Sequence, residues 1–219
     1  MIIRKQFTFE GAHVVRNCSS DRCKKSIHGH SYIVEVFLTA DGFDNGMMVY
    51  DFGLLKGTVK ELLDAFDHAY SLWNQETDEI KDFVKKHSAR WIEMPVSPSA
   101  EGYALFFTHW VDRILSLTDM SNGEQNVRVH SVRVHETATG YAEAFPADVA
   151  AYSNTPNSSS QRFTQDLQNV TFSDQCLAEM SDKTVAVIRG ERVENPEIKP
   201  NLELDSNYVV NANLGKEVG

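Results

Sequence analysis

The sequence predicts an α+β fold in which one antiparallel sheet is covered on one face by two helices. Three observations support this prediction. Segments with alternating apolar residues occur near the start of the chain and again at 127–145, helical spacing of apolar residues occurs between them, and turn signals separate the segments. The resulting order is strand, strand, helix, helix, strand, strand, which is typical of helices packed on one side of an antiparallel sheet.

The first half of the chain supplies two strands and the first helix. Residues 2–10 carry Ile and Phe in loose alternation, and a stronger β pattern covers 30–40. The Asp-Gly pair at 41–42 and the Asn-Gly pair at 45–46 signal the turns that follow it. The polar residues 16–27 lack periodicity and predict a loop. A short strand is predicted at 47–50, and apolar spacing over 54–66 predicts a helix.

The second helix is predicted to begin after a proline-bounded loop. Ser99 stands two residues before Glu101 and ahead of an apolar helical face. A polar residue followed by an acidic first turn is typical of a helix start. Alternation over 127–145, interrupted by an Ala-Thr-Gly turn, predicts the last two strands.

A change of composition after Phe145 divides the chain. Its 219 residues are enough for one main domain plus an appendage. Residues 1–146 are assigned to that domain, and 147–219 to a C-terminal extension of unknown role. The Ser- and Asn-rich segment 153–160 predicts a loop within the extension.

Composition excludes several classes of function. The formal net charge of −10 opposes phosphate attraction, so we expect no nucleic-acid partner. No apolar run has the length of a signal-peptide core or a membrane span, so no membrane partner is expected. Three cysteines are too few for a disulfide framework. We therefore expect a cytoplasmic protein with reduced thiols.

Three histidines carry the strongest chemical signal. His28 and His30 flank one glycine, and on an extended segment their side chains point to the same face. His13 follows the first predicted strand, where the chain turns. Three imidazoles without a fourth protein ligand suit a catalytic zinc, whose open position holds water or substrate.

Two other interpretations of these residues are open. The histidines can be unrelated surface or hydrogen-bonded side chains. Alternatively, Cys18 and Cys23 can join the H-G-H pair in a closed structural zinc site, although the C-x4-C-x4-H-x-H spacing matches compact zinc modules poorly. The second hypothesis differs from the catalytic one because it requires Cys23 to hold metal.

Cys23 and the Asp67-His68 pair have both a functional and a structural interpretation. Cys23 is flanked by Arg22 and two lysines, and positive charge favours the thiolate, whereas most lone cysteines are inert apolar residues. Asp67 can orient His68 for proton transfer. The alternative is a histidine that interacts with the dipole at the end of the first helix.

Glu136 is predicted to need a hydrogen-bond donor. It alternates with Val132 and Val134 and therefore shares the face that these residues bury. A ligand with a guanidine-like edge offers two N–H donors to one carboxylate.

Several separated motifs give the chain a resemblance to a known family. They are F-T-F-E-G-A-H (7–13), C-K-K-S-I-H-G-H-S-Y (23–32), Y-D-F-G-L-L-K (50–56), F-D-H (66–68), P-S-A-E (98–101) and V-H-E-T-A-T-G-Y (134–141). In these motifs and in their order the chain resembles the 6-pyruvoyl-tetrahydropterin synthase family, which includes the bacterial 6-carboxy-tetrahydropterin synthases of the queuosine pathway. The resemblance covers roughly residues 1–145.

The resemblance implies the tunnelling fold, a four-stranded antiparallel sheet with two helices on one face. It also implies a homohexamer built as a dimer of trimers, with sites formed between subunits. By the same resemblance His13, His28 and His30 hold zinc. Further positions match functional residues of the family: Cys23, Asp67 and His68 as catalytic residues, Glu136 as the pterin anchor, and Ser99 and Glu101 beside the substrate.

The implied activity is that of a zinc-dependent lyase acting on 7,8-dihydroneopterin triphosphate. The expected product is 6-carboxy-5,6,7,8-tetrahydropterin. The C-x4-H-G-H spacing lies between C-x3-H-G-H of the bacterial queuosine enzymes and C-x5-H-G-H of the animal pyruvoyl enzymes. Triphosphate elimination to 6-pyruvoyl-tetrahydropterin, or a related side-chain-cleaving reaction, is therefore the alternative. An inactive zinc- or pterin-binding scaffold is the non-enzyme alternative.

Overall fold

The computed structural model describes residues 1–154 and 167–195. The strands are β1 (Ile2–His13), β2 (His28–Thr39), β3 (Ala69–Trp73), β4 (Trp91–Met94), β5 (Thr118–Asp119), β6 (Arg128–Thr137), β7 (Gly140–Ala144), β8 (Thr171–Phe172) and β9 (Val193–Glu194). The helices are α1 (Asp21–Lys25), α2 (Thr58–Asp64), α3 (Asp78–His87), α4 (Ala100–Leu117), α5 (Pro146–Asn154), α6 (Asp174–Ala178) and α7 (Asp182–Ile188).

One mixed sheet has the strand order β7-β6-β2-β1-β3-β4-β8. The four strands β7, β6, β2 and β1 are antiparallel neighbours and correspond to the four predicted strands. The α+β class is thus confirmed, but the four-stranded description is incomplete. β3 and β4 run parallel to β1, and β8 closes the far edge antiparallel to β4. Their runs of 5, 4 and 2 residues are too short to show an alternating pattern.

The two predicted helices cover the antiparallel part of the sheet. α4 packs on β6 and β7, α2 packs on β1, and the two helices contact each other. The Ser99 Oγ accepts a hydrogen bond from the Gly102 N–H at 3.2 Å, which confirms the predicted start of α4. Each large side chain buried here stabilises the fold by about 1.5–3 kcal/mol. The largest fully buried aromatic residues are Trp110, Tyr32, Tyr103, Phe9, Phe66, Phe106 and Phe107.

Several local predictions were wrong. The predicted loop at 16–27 contains the short helix α1. Residues 47–50 form an irregular, bent segment after a turn at 45–46, and no strand. The Asp44 carboxylate there accepts hydrogen bonds from the backbone N–H groups of Gly46 and Met48, both at 2.8 Å. A side chain that bonds its own neighbouring backbone competes with strand pairing.

The helix predicted over 54–66 is divided in two. A single 3-10 turn, Leu54–Lys56, is followed by Gly57 and then α2. Gly57 has φ −85° and ψ −120°, outside the helical region, so the backbone cannot continue as one helix.

The extension shares the main core. Trp110 donates its indole N–H to the Leu167 carbonyl at 2.8 Å, and Phe172, Cys176 and Val187 join the same buried cluster. Residues 153 and 154 end α5, whereas 155–160 of the predicted 153–160 loop lie outside the described residues. No helix in the described ranges is long and apolar enough to cross a bilayer.

Candidate active site

The pairing of β1 with β2 brings the three histidines together. His13 lies directly opposite His28 in the antiparallel register, and His30 follows two positions along the same strand. All three rings therefore lie on one face of the sheet. Their nearest ring nitrogens are within 4.8 Å of one another, a separation that lets one metal ion contact all three.

Backbone carbonyls orient two of the rings. The His13 Nδ1–H donates to the Pro98 carbonyl at 2.5 Å, and the His28 Nδ1–H donates to the Ser26 carbonyl at 3.0 Å. A carbonyl only accepts, so Nδ1 carries the proton and Nε2 keeps its lone pair for a metal. This arrangement of donors fits a catalytic zinc.

Burial keeps His13 in the form that binds metal. Its side chain is fully buried, and this desolvation is the main cause that lowers the pKa of His13 to about 4. The Pro98 carbonyl opposes this shift, and the neighbouring His28 and His30 contribute to it. The imidazole is therefore neutral at pH 7. The hydroxyl of the buried Tyr32 lies 3.2 Å from Nδ1 of the ring and packs this side chain against the site.

Glu136 lies at the edge of the histidine group. Its Oε1 is 3.8 Å from His13 Nε2 and 4.0 Å from His30 Nε2. The β6–β7 register shifts between His135 and Thr137, so a bulge at Glu136 alters the direction of its side chain. The carboxylate therefore has access to a ligand held beside the metal position.

Asp67 and His68 form a pair at the start of β3. The His68 Nδ1 lies 2.9 Å from the Asp67 carboxylate, which also accepts the Glu10 backbone N–H at 2.8 Å. Burial opposes ionisation, but the Glu10 N–H and then the His68 ring hold the pKa of the Asp67 carboxyl below its usual range. His68 and His30 line one cavity of about 450 Å³, so the pair and the histidine group are linked there through His30, whereas His13 and His28 do not line this cavity.

Cys23 lies on α1, just before β2. Its carbonyl accepts the Val15 N–H at 3.0 Å, which ties α1 to the segment that follows His13. The thiol is partly exposed and unpaired. Among the described residues, the group of converging metal-ligand atoms contains the three histidines and no cysteine. This geometry does not support the structural-zinc alternative with Cys18 and Cys23.

Comparison with known proteins identifies the family. The family model described as 6-pyruvoyl tetrahydropterin synthase matches residues 2–147. The chain belongs to this family. A 6-carboxy-5,6,7,8-tetrahydropterin synthase of Helicobacter pylori is 44% identical over 149 residues, which are 68% of this chain and 74% of that protein. A protein of the same name from Aquifex aeolicus is 34% identical over 137 residues, 61% of this chain and 82% of that protein.

A solved structure supports the fold assignment. An uncharacterised protein from Wolinella succinogenes superposes with a TM-score of 0.51 at 20% sequence identity. The match covers 67% of this chain and 98% of that chain. The likeness to this structure concerns the fold alone.

Two positions matched by family resemblance do not line the cavity of His30 and His68. The Ser99 hydroxyl caps α4, and Glu101 is exposed and lines a separate cavity of about 250 Å³ beside β7. The role of Ser99 and Glu101 in substrate binding stays a prediction. What joins this segment to the metal site is the Pro98 carbonyl.

Sequence reasoning missed two groups around His13. The Pro98 contact is made by a main-chain atom, which leaves no signature in residue type. Tyr32, by contrast, stands two residues after His30 on the same strand. Strand alternation alone was enough to place its side chain beside the histidines.

β1 and β2 approach so closely at Gly29, between His28 and His30, that this position requires glycine. A Cβ at Gly29 would lie 2.7 Å from the Gly11 carbonyl oxygen on β1. We expect Gly29→Ala to lower the free energy of unfolding of the metal-free protein by about 1–3 kcal/mol, because the two strands must separate. Urea unfolding measures this change. Gly140→Ala is the control, since its nearest neighbour is the Thr137 hydroxyl at 3.3 Å; equal losses in both variants would contradict the prediction.

Proposed function

We propose that the protein is a zinc-dependent 6-carboxy-5,6,7,8-tetrahydropterin synthase that acts on 7,8-dihydroneopterin triphosphate. The observation that carries the proposal is the convergence of His13, His28 and His30 on one possible metal position. His30 also lines a cavity together with His68. The names of the family relatives support the choice of product. A role in queuosine or other 7-deazapurine biosynthesis is part of the same proposal.

His13, His28 and His30 would hold the zinc. When bound, it stabilises negative charge that develops on oxygens of the substrate side chain. The protein contributes preorganisation: the Pro98 and Ser26 carbonyls fix two of the rings before the metal arrives. Glu136 accepts N–H groups of the pterin ring, which directs the side chain of the substrate toward the three histidines.

Proton transfer is assigned to Cys23 and His68. The Cys23 thiolate removes or relays a substrate proton, and His68 acts as the complementary acid or base. Asp67 accepts the Nδ1–H of His68 at 2.9 Å and so leaves Nε2 for the substrate. Because the Asp67 carboxyl has a lowered pKa, it stays ionised at neutral pH and stabilises the imidazolium form.

The cations of α1 would offer the triphosphate less positive charge than their number implies, because two of them are paired with a carboxylate. Lys24 and Lys25 each contact the Asp21 carboxylate at 2.9 Å. Arg22 is the third cation of this helix, and all three are candidates for phosphate contact. The hexameric assembly and the cytoplasmic location stay predictions.

Product analysis tests the proposal. Zinc-loaded protein is incubated with 7,8-dihydroneopterin triphosphate, and the pterin, acetaldehyde and triphosphate are each measured. We expect 6-carboxy-5,6,7,8-tetrahydropterin with equimolar acetaldehyde, and no turnover by metal-free protein. A pyruvoyl product without acetaldehyde would favour the other synthase. Zinc binding without any turnover would favour an inactive scaffold.

A further inference from the structure

We propose that residues 167–195 of the C-terminal extension position the Asp67-His68 pair, and that Arg90 is the residue through which they act. Arg90 is a positioning residue in this scheme and does not contact substrate. The inference rests on the proposed function of His68 as an acid or base. It assigns a role to the part of the chain that lies outside the family match at 2–147.

Arg90 binds the backbone of the turn that carries the pair. Its Nε donates to the Asp67 carbonyl at 2.8 Å, and its Nη2 donates to the Asp64 and Ala65 carbonyls at 2.9 and 3.3 Å. The last carbonyls of a helix lack partners within the helix, so the guanidinium completes the C-terminus of α2 and holds the following turn. One side chain thus fixes three carbonyls of this turn, those of residues 64, 65 and 67.

The extension holds Arg90 from its other side. Nη1 of Arg90 donates to the Glu179 carboxylate, which Gln175 also contacts at 2.6 Å. The Cys176 thiol donates to the Ala65 carbonyl at 3.4 Å. α6 therefore contacts this turn directly through Cys176, and the residue that follows α6 contacts it through Arg90.

A second attachment holds the middle of α2, one turn before its C-terminal end. The Glu61 carboxylate accepts the backbone N–H and the hydroxyl of Ser181 at 2.9 and 2.7 Å, and the Thr184 hydroxyl at 2.6 Å. These contacts occur at the start of α7, where a carboxylate also interacts favourably with the helix dipole. The extension therefore contacts α2 before the turn and at the turn.

The pair needs this support because the His68 ring has little packing of its own. Its side chain is 75% exposed, and the residue has φ 54°, in the left-handed region. The position of the imidazole thus depends on the Asp67 carboxylate and on the backbone, whose N–H donates to the Glu10 carbonyl at 2.7 Å. A displacement of about 1 Å in a catalytic group can lower the rate about 100-fold.

Arg90→Ala tests the inference against a matched control. We expect kcat to fall about 10- to 100-fold while KM changes less than about threefold and zinc content stays at the wild-type level. Glu179→Ala is expected to lower kcat less, by about two- to fivefold, because it removes one partly exposed ion pair. Arg192→Ala is the control: it breaks a similar contact between the extension and the body, with Asp119 on β5, and should change kcat less than about twofold.

Amide hydrogen exchange separates this inference from the proposed function. The His68 amide should lose protection in Arg90→Ala and keep it in Arg192→Ala. Unchanged protection in Arg90→Ala, or lost protection with wild-type kcat, would overturn the inference. If the wild-type protein forms no pterin product, the proposed function fails and the exchange result alone decides whether Arg90 holds the turn. Should Arg90→Ala fold poorly, Glu179→Ala gives the same two readouts.

Discussion

Replacing His13 by alanine is expected to release the metal and to abolish turnover. His13 is the buried member of the three histidines and its ring is fixed by the Pro98 carbonyl, so its removal leaves two imidazoles to hold the metal. Without the metal, the charge that develops on the substrate loses a stabilisation of roughly 4 kcal/mol, which corresponds to about a 10³-fold loss of rate. Zinc per chain and the initial rate of product formation measure the two effects.

His87→Ala is the control for this experiment. His87 is exposed at the end of α3 and packs only against Phe83 among the contacts seen for its ring. We expect the His87 variant to keep both zinc and activity. A His13→Ala protein that retains one zinc per chain would refute the assignment of the metal site, whatever its activity.

Replacing Cys23 by alanine is expected to separate chemistry from metal binding. The three histidines converge without a cysteine, so the variant should keep its full zinc content. If the thiolate transfers a proton, turnover should fall by about 10²- to 10⁴-fold, the usual contribution of a general acid or base. Metal analysis and product formation are measured on the same preparation.

Cys18→Ala gives the matched comparison. Cys18 is a second partly exposed thiol in the same segment, and it donates to the Ser20 carbonyl at 3.2 Å. We expect it to retain near wild-type activity. Loss of zinc in Cys23→Ala would instead favour a structural site, and equal activity losses in both variants would show a general effect of the loop.

Sequence patterns predicted those parts of the site whose geometry is set by local spacing. Alternation along β2 determines that His28 and His30 share a face, and adjacent positions in the chain bring Asp67 to His68. His13 lies opposite His28 because of the β1–β2 register, which the structure shows; the family resemblance implied only that His13 belongs with the other two histidines. These contacts are made by side chains, whose chemical types can be taken directly from the sequence.

The missed parts depend on backbone atoms or on very short elements. The Pro98 carbonyl orients His13, and Arg90 donates hydrogen bonds to three backbone carbonyls. No residue type marks a carbonyl as a partner. The strands β3, β4 and β8 are formed by pairing with strands distant in the chain, and their few residues carry too little periodicity to predict that pairing.

At position 68 the conformational stability of the protein and its proposed catalysis favour different residues, because the backbone there is left-handed. A non-glycine residue at φ 54° carries a conformational cost of about 1 kcal/mol, which glycine avoids and asparagine reduces. Random substitution screened for heat resistance would therefore tend to remove the imidazole from this position. Efforts to raise the thermal stability of this protein should keep His68 and substitute other positions.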